Sequence, residues 1–368
     1  MGGNVLDPRR QYSDEPRAGT HGCNGIQNVP FVRNAGIKDD VLKALITGAT
    51  GFIGSHLAKS LIDKGYEVTC TVRRTSDLTW LKGLNVELVE GDITDRESLA
   101  EPVRNANYIF HVGGITKAKS EPAYYKINAD GSRILYEVCL ENKAHIKKIV
   151  HVSSLAAGGP AIPGRPRIEN DPDEPLTFYG KSKLEGEKYA VQYRKELPIT
   201  IIRPPAVYGP REKDIFFYFQ LISIHLRPVL GWNKKYLSLV YVKDLVHAII
   251  LAAESPKSSG QTYYVDDGKI YSWQELSGQI QKALGTCAVP VFVPEWLITA
   301  AAYISEAFAA FSSKPALLNR QKIIELKQKS WATSSDKIRN ELGFAAAYDL
   351  EKGCAETVQW YRENRWLK

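Results

Sequence analysis

Short apolar runs alternate with amphipathic segments along the chain from Val41 to about residue 205. Each run is followed by helical or loop sequence, and this alternation is typical of an α/β fold built on a parallel sheet. The runs predicted as strands are Lys43–Thr47, Glu67–Val72, Val86–Val89, Tyr108–Val112, Lys148–Ser153 and Ile199–Arg203. Repeated strand–helix units of this kind predict a doubly wound parallel sheet.

The alternation fades beyond Pro204, where aromatic and proline-rich stretches stand among helical segments. We therefore predict one domain over residues 41–205, completed by about 239–266, and a smaller, mostly helical C-terminal lobe over 206–238 and 267–368. The apolar segment Trp296–Phe311 is shorter than a bilayer span and contains Glu306. A helix packed on the second lobe is the favoured interpretation of this segment, and a membrane anchor is the alternative.

Residues 1–40 contain Gly, Pro, Asn and Arg without an apolar period. Folding such a segment would bury too little apolar surface to offset the loss of conformational entropy, so we predict a disordered N-terminal extension. It lacks the continuous apolar stretch of a secretory signal, and its acidic residues are untypical of a transit peptide. Because Met1 is the only methionine, we hypothesise that the natural chain starts near Val41.

The composition, with 44% hydrophobic and 24% charged residues, excludes a polytopic membrane protein, a fibrous repeat and global disorder. Lys and Arg exceed Asp and Glu by 48 − 41 = 7, which favours phosphate-bearing ligands without forming a dense basic stripe. The five cysteines are scattered, so neither a disulfide framework nor a zinc ribbon is indicated and a cytoplasmic location is expected. The seven histidines show no paired spacing with carboxylates or cysteines, so we predict no metal site.

A glycine-rich turn follows the first predicted strand and opens a helix with apolar residues at helical spacing. At such a helix start, unpaired amides and the positive end of the dipole can receive a pyrophosphate if the side chains are small. The turn therefore predicts dinucleotide binding, although a tight turn without a ligand is the alternative. The residues expected to touch the cofactor are Gly48, Thr50, Gly51, Phe52, Ile53 and Gly54.

Two arginines, Arg73 and Arg74, follow the second strand, where dinucleotide folds usually place an acid on the adenosine ribose. Guanidinium groups can bind a ribose 2′-phosphate through bidentate hydrogen bonds, so we predict a preference for NADP over NAD. An exposed basic loop is the alternative. After the third strand, Asp92, with Ile93 beside it, is predicted at the adenine edge. Close backbone approach is expected after the fourth strand, at Val112, Gly113 and Gly114.

Tyr179 and Lys183 lie four residues apart in a predicted helix, which places their side chains on one face. The ammonium charge can lower the pKa of the phenol, so that Tyr179 exchanges a proton with an alcohol or carbonyl near neutral pH. Ser154, at the end of the fifth strand, can hydrogen-bond the same substrate oxygen. The four-residue pattern alone also fits an ordinary helix surface. Its position after the glycine turn and the serine favours catalysis.

Four segments together resemble the extended short-chain dehydrogenase/reductase family, also called the NAD-dependent epimerase/dehydratase family: Thr47–Gly54, His151–Ser154, Tyr179–Lys183 and Arg203–Pro210. The similarity runs from about Val41 to the C-terminus. It implies a Rossmann-type doubly wound sheet with a smaller C-terminal substrate lobe. It also implies NADP or NAD as the cofactor and a small-molecule substrate. Members of the family are often dimers, so a homodimer is expected.

The resemblance also implies roles for individual residues. Tyr179 corresponds to the catalytic acid or base, and Lys183 to the lysine that holds the nicotinamide ribose and lowers the tyrosine pKa. Ser154 corresponds to the residue that steadies the substrate oxygen, with Ser153 the second candidate, and Asn128 resembles a helix asparagine that supports the active site. The backbone expected to face the nicotinamide includes Pro204, Ala206 and Val207.

The substrate is less well indicated. Nucleotide-sugar members commonly carry an asparagine where this chain has Ala206, and an arginine near Leu237. The context of Arg73 looks more like the branch with dihydroflavonol reductases and 3β-hydroxysteroid dehydrogenases. Aromatic side chains could line an apolar cleft or simply form the core of the second lobe: Phe216, Phe217, Tyr218, Phe219, Trp232 and Tyr236. Lys234 and Lys235 still allow a phosphorylated substrate.

The leading hypothesis is an NAD(P)-dependent oxidoreductase that transfers a hydride at a secondary alcohol or ketone. The first alternative is a nucleotide-sugar 4-epimerase or dehydratase with tightly bound NAD. The alternative from another class is a non-catalytic dinucleotide-sensing protein, which the intact Ser154, Tyr179 and Lys183 set disfavours. A nucleic-acid role for the basic C-terminal region is disfavoured by its interspersed acids, and no membrane span is expected.

Overall fold

A parallel sheet of seven strands forms the centre of the computed structural model, which describes residues 41–231, 234–310, 316 and 318–367. These residues belong to a single compact unit, Val41–Lys368. The predicted N-terminal extension, residues 1–40, and the hypothesis of a start near Val41 lie outside the described residues.

The structure assigns thirteen strands and thirteen α-helices to the described residues. The strands are β1 (Lys43–Thr47), β2 (Glu67–Val72), β3 (Glu87–Glu90), β4 (Tyr108–His111), β5 (Lys148–Val152), β6 (Ile199–Arg203), β7 (Ala206–Tyr208), β8 (Leu226–Leu230), β9 (Tyr236–Tyr241), β10 (Thr262–Tyr264), β11 (Ile270–Ser272), β12 (Val289–Val293) and β13 (Ser330–Trp331). The helices are α1 (Phe52–Asp63), α2 (Arg96–Arg104), α3 (Glu121–Tyr125), α4 (Gly131–Glu141), α5 (Leu155–Gly158), α6 (Phe178–Tyr193), α7 (Phe216–Ser223), α8 (Val242–Glu254), α9 (Trp273–Leu284), α10 (Glu295–Ala310), α11 (Arg320–Lys327), α12 (Asp336–Leu342) and α13 (Leu350–Glu363).

The central sheet has the strand order β10-β6-β5-β4-β1-β2-β3, and every neighbouring pair is parallel. The order reverses between β1 and β4, and in such sheets ligands bind in the crevice at the carboxyl ends of the strands beside this point. The doubly wound fold predicted from the sequence is therefore confirmed. The seventh strand, β10, lies within the segment expected to complete the sheet.

Apolar side chains alternate between the two faces of the central sheet, and each face carries its own core. Ile46 packs with Leu57 of α1 and Ile249 of α8 on one face. Leu45 packs with Leu135 of α4 on the other. Strands β5 and β6 are buried at every position, as is typical of central strands in a parallel sheet.

The C-terminal elements are mostly helical, as predicted, and they also include short strands. Strands β11, β9 and β13 form a small sheet in which β7 also pairs with β9, and β8 pairs with β12 in a parallel ribbon. These strands are two to six residues long, too short for a clear alternation of apolar and polar positions. Helices α7, α9 and α13 cover the small sheet and share a third core with it.

Helix α10 occupies the apolar segment predicted as Trp296–Phe311, except for Phe311, which lies outside the described residues. It packs against α11. Among the described residues, no helix is both long and apolar enough to cross a bilayer.

Candidate active site

The glycine-rich turn between β1 and α1 is closed by backbone contacts that exclude side chains. Gly48 has φ +78°, and a Cβ there would lie 2.6 Å from Gly113 Cα. A Cβ on Gly54 would lie 2.2 Å from the Gly48 carbonyl oxygen. Helix α1 then begins without a side-chain cap and without an acid in its first turn. Its N-terminus, bordered by the exposed Gly51 and the partly exposed Thr50, Phe52 and Ile53, suits a pyrophosphate.

The arginines after β2 differ in their contacts, although both are exposed. Arg74 Nε donates to Glu90 Oε1 of β3 at 2.5 Å, whereas Arg73 forms no salt bridge with any described residue. Asp92, after β3, accepts hydrogen bonds from the amide and hydroxyl of Thr94 at 2.9 and 2.8 Å. Burial raises the pKa of Asp92, but these bonds and the charge of Arg73 lower it overall. The carboxyl ends of β2 and β3 thus bring a cation and an oriented carboxylate together.

The segment after β4 lies between the glycine turn and the predicted catalytic helix. Gly113 contacts Gly48 as described, and its neighbour Val112 is partly buried. A Cβ on the exposed Gly114 would lie 3.8 Å from Lys183 Nζ. Ile93 packs instead against Gly131 at the start of α4, where an added Cβ would lie 2.9 Å from Ile93 Cγ2.

Tyr179, Ser154 and Lys183 meet at the carboxyl end of β5. Helix α6 begins at Phe178 because the Thr177 hydroxyl caps it, accepting from the Gly180 amide at 3.1 Å. The Tyr179 phenol is hydrogen-bonded to the Ser154 side chain and remains partly exposed. Lys183 is buried, and its Nζ donates to the Val152 carbonyl oxygen at 2.9 Å. The alternative serine, Ser153, is buried, and its hydroxyl has no hydrogen-bond partner among the described residues.

The pKa of Tyr179 differs from the expectation that Lys183 lowers it. Burial raises this pKa to about 12, which outweighs the hydrogen bond from Ser154. Burial also lowers the pKa of Lys183 to about 8, and the nearby Glu187 carboxylate only partly opposes this. The reason is that Lys183 points to the Val152 carbonyl, while the phenol is desolvated beside Ser154. At neutral pH the tyrosine is therefore protonated and the lysine is mostly charged.

Asn128 lies in a single π-helical turn, Lys126–Asp130, between α3 and α4, and it is fully buried. Its Oδ1 accepts from the Ile115 amide at 2.8 Å, and its Nδ2 donates to the Ile115 carbonyl and to Ser182 Oγ at 3.0 and 2.9 Å. Ser182 Oγ in turn donates to the Tyr179 carbonyl at 2.8 Å. Asn128 thus joins the segment after β4 to helix α6 and acts on Tyr179 by position.

A buried chain of hydrogen bonds that the sequence did not reveal continues from Asn128 to the glycine turn. The Ser132 hydroxyl donates to the Asn128 carbonyl at 2.8 Å, so it must accept from His111 Nε2 at 2.9 Å. His111 Nδ1 then accepts from the Thr47 hydroxyl at 2.8 Å. Burial, reinforced by the charge of Lys183, lowers the pKa of His111 to about 3. We call Thr47, His111, Ser132 and Asn128 the buried relay.

A second missed feature is the buried ion pair between Arg203, at the end of β6, and Glu187 of α6. Arg203 Nε donates to both Glu187 oxygens at 3.0 and 3.1 Å, and its Nη1 donates to Asp173 at 2.7 Å. This pair fixes α6 against the sheet. No local spacing predicts it, because the partners lie on separate elements.

The segment after β6 is held against the end of β5. The Pro204 carbonyl accepts from the Leu155 amide at 2.8 Å. Ala206 is exposed and Val207 is partly buried in β7. The positions predicted to face the nicotinamide therefore adjoin Ser154, which caps helix α5.

Most of the aromatic side chains considered for a substrate cleft belong to the third core. Phe219 is fully buried, Phe216 packs on Tyr361, and the Tyr218 hydroxyl lies 2.7 Å from Ser277 Oγ. Phe217 and Tyr236 are exposed, whereas Trp232 lies outside the described residues. Leu237, which lies near the position predicted for an arginine in nucleotide-sugar members, is buried in the same core.

The doubly wound sheet, the uncapped glycine turn and the Ser154, Tyr179 and Lys183 cluster define a dinucleotide-dependent oxidoreductase or epimerase. The chain belongs to the NAD dependent epimerase/dehydratase family, which matches residues 44–266. The resemblance predicted from the motifs is thereby confirmed.

Relatives of the chain include both reductases and enzymes named for nucleotide sugars. It is 29% identical over 326 residues to a ceramide reductase of Caulobacter vibrioides, covering 88% of this chain and 95% of that protein. It is 28% identical over 329 residues to a UDP-glucose 4-epimerase of Vibrio cholerae, covering 86% and 94%. Its fold matches the solved dTDP-glucose 4,6-dehydratase of Bacillus anthracis in complex with NAD, with a TM-score of 0.72, 22% identity and coverage of 89% and 98%.

Proposed function

We propose that this protein is an NADPH-dependent reductase that converts a ketone into a secondary alcohol. The proposal rests mainly on the protonated Tyr179 phenol, which is hydrogen-bonded to Ser154 one helical turn from Lys183. A phenol with a raised pKa is a ready proton donor, and reduction of a carbonyl consumes a proton. In the reverse reaction the same group would act as the base in its phenolate form, so alcohol oxidation should be favoured by alkaline pH and ketone reduction by neutral pH.

The steps follow from the positions of these side chains. The Ser154 and Tyr179 hydroxyls bind the substrate carbonyl oxygen, which orients its carbon toward the segment after β6. The bound dinucleotide supplies the hydride that reduces this carbon. Tyr179 then gives its proton to the developing alkoxide, so that an O–H bond forms on the product and a phenolate remains. The Ser154 hydroxyl, whose hydrogen bond lowers the Tyr179 pKa, stabilises that phenolate until a proton from solvent restores the phenol.

The residues of the glycine turn fit the dinucleotide, because α1 begins without a side-chain cap and next to the exposed Gly51, where a phosphate can approach the helix N-terminus. Gly48, Gly51 and Gly54 would hold the pyrophosphate with the α1 amides, and Asp92 the adenine. Lys183 would bind the nicotinamide ribose beside Gly114.

We propose that Arg73 selects NADPH by pairing with the ribose 2′-phosphate, since Arg74 is already paired with Glu90. Arg73→Ala is expected to weaken NADPH binding at least about tenfold and leave NADH binding unchanged, as a charge-assisted bidentate pair would be lost. Arg74→Ala is the matched control and should change neither constant by more than about twofold. Fluorescence titration of both nucleotides measures these constants. Equal affinity for NADPH and NADH in the unchanged protein would contradict the proposal.

The substrate class that we propose is a ketone with an apolar chain. The name of the ceramide reductase relative points this way, and so do Ala206 and the buried Leu237, which remove two polar groups common in nucleotide-sugar members. The second candidate, favoured by the epimerase relative, is a nucleotide-sugar epimerase. Net consumption of NADPH separates the two, because an epimerase returns its cofactor unchanged.

Tyr179→Phe tests the chemical assignment. In a screen of long-chain ketones followed at the reduced-nicotinamide absorbance, turnover should fall by about 100-fold or more while NADPH still binds. Tyr193→Phe, at the other end of α6, is the control and should retain turnover. Full turnover in Tyr179→Phe would show that another group donates the proton.

We further propose that residues 206–238 and 267–368 form the substrate lobe and that the protein is a cytoplasmic homodimer. The four described cysteines are free, as in a reducing compartment. Light scattering of the purified protein should give twice the chain mass.

A further inference from the structure

Helix α10 presents an apolar surface to solvent. Its exposed aromatic and aliphatic side chains are Trp296 (71% exposed), Leu297 (46%), Tyr303 (56%), Ile304 (57%) and Phe308 (74%). Successive residues of an α-helix are rotated by about 100° around its axis. These five side chains therefore point within about 80° of the direction opposite to Ala302, which is fully buried. We call this set the apolar face of α10. In a soluble protein, an amphipathic helix packs its apolar side chains against the core, whereas α10 exposes these side chains to solvent.

The ribbon that precedes α10 also exposes apolar side chains. Strand β12 leads into α10 through Pro294, and Val289 (65% exposed) and Val291 (42%) face solvent there. Ile224 (61%), before β8, adds to the surface. Several large apolar side chains exposed on neighbouring elements indicate an interaction site, because they are costly to leave in water.

Basic side chains border the apolar face on helix α11, which packs against α10. Four basic residues here are exposed: Arg320, Lys322, Lys327 and Lys329. Arg320 is paired with Glu306 of α10 and Lys322 with Glu325, whereas Lys327 and Lys329 form no salt bridge with any described residue. Arg320 lies over the Tyr303 ring of α10, 5.6 Å from its centroid. Aromatic and aliphatic side chains beside lysines and arginines form the pattern of a helix that lies in an anionic membrane interface.

Helix α11 also contacts the catalytic helix α6. Gln321 Oε1 of α11 accepts from the Phe178 amide at 2.8 Å, and the charge of Glu325 acts on Tyr179. Helix α11 therefore contacts both α10, which carries the apolar face, and α6, which carries the proton donor Tyr179. A second copy of the chain on this face would bring two basic α11 helices together, which like-charge repulsion opposes.

We propose that the apolar face of α10 docks on the surface of a bilayer that contains anionic lipids, with α11 among the headgroups. The helix has 16 residues and would lie along the membrane plane for about 24 Å. Docking would place the active site near a pool of water-insoluble molecules.

Flotation of the purified full chain with lipid vesicles tests the docking without any substrate. We expect binding to vesicles of phosphatidylcholine mixed with phosphatidylglycerol, and at least about tenfold weaker binding to phosphatidylcholine alone. Trp296→Ser combined with Phe308→Ser should weaken binding by about tenfold or more. Lys327→Gln combined with Lys329→Gln should do the same for the anionic vesicles only.

The matched control combines Leu88→Ser and Val191→Ser, two exposed apolar residues of β3 and α6, and should leave vesicle binding unchanged. Thermal unfolding shows that each variant is folded. The proposal is overturned if the unchanged protein floats with neither vesicle, or if the control weakens binding as much as the α10 variant. It is also overturned if the α10 variant changes the oligomeric state instead, which would assign the face to a second copy. Failure of the reductase assay affects none of these readouts.

Discussion

The buried ammonium of Lys183 should reduce the stability of the fold, so removing it should stabilise the ligand-free protein while abolishing turnover. The folded-state pKa is about 8, against 10.5 for an ordinary lysine. At about 1.36 kcal/mol per pKa unit, keeping the group charged in the fold costs about 3 kcal/mol at pH 7. Lys183→Met also removes the hydrogen bond to the Val152 carbonyl, which contributes about 1 kcal/mol. The net gain expected at pH 7 is thus about 2 kcal/mol.

The pH dependence isolates the charge from the constant effects of the substitution. The folded-state pKa is depressed, so the stability linked to Lys183 is complete above about pH 10.5 and is lost as the pH falls through about 8. The advantage of Lys183→Met over the unchanged protein should therefore shrink by about 2 kcal/mol between pH 7 and pH 10. The lost hydrogen bond and the altered packing do not depend on pH in this range and cancel from the comparison.

Urea unfolding followed by tryptophan fluorescence at pH 7 and pH 10 measures this difference. Lys181→Met, which removes an exposed charge from the same helix, is the matched control and should give the same small difference at both pH values. A difference between Lys183→Met and the unchanged protein that stays constant from pH 7 to pH 10 would refute the argument, because it would mean that the buried lysine pays no desolvation cost.

Three further predictions concern the turn, Asn128 and the buried ion pair. Gly54→Ala should abolish dinucleotide binding in a fluorescence titration, because the added Cβ would collide with the Gly48 carbonyl oxygen. The control Gly278→Ala on α9, where nothing lies within 4 Å of the added Cβ, should instead raise the free energy of unfolding by about 0.5 kcal/mol. Asn128→Leu should lower kcat with little change in NADPH affinity, since it displaces Tyr179 through Ser182; unchanged kcat would show that this link is not needed. Glu187→Ala should lower the free energy of unfolding by about 3 kcal/mol in urea, and a loss below about 1 kcal/mol would mean that Asp173 alone satisfies Arg203.

The sequence predicted six strands of the central sheet, each with bounds within one residue of those observed. The bounds of β1, β2 and β6 agree with the prediction, since their apolar runs end where polar residues or prolines begin. Strand β3 is shifted by one residue, because its side chains are largely exposed at the sheet edge and carry little apolar signal. The strands β7, β9 and β11 of the small sheet were not predicted, because their pairing depends on segments far apart in the chain.

In the candidate site too, features set by local sequence could be predicted, and features set by contacts between distant segments could not. The glycine turn and the spacing of Tyr179 and Lys183 are local patterns, and the structure brings them together with Ser154. The direction of the Tyr179 pKa could not be read from spacing, because it depends on how much of the phenol the surrounding elements bury. The pairing of Arg74 with Glu90, which leaves Arg73 as the candidate for the 2′-phosphate, likewise depends on the register of β2 and β3.

The buried relay contains His111, yet its hydrogen bonds should not change with pH in the physiological range. With a pKa of about 3, the His111 imidazole keeps the same two hydrogen bonds, to Thr47 and Ser132, from mildly acidic to alkaline medium. The buried relay thus connects the glycine turn to helix α6 through neutral groups. An acidic limb in the turnover profile above about pH 5 would therefore not arise from protonation of His111.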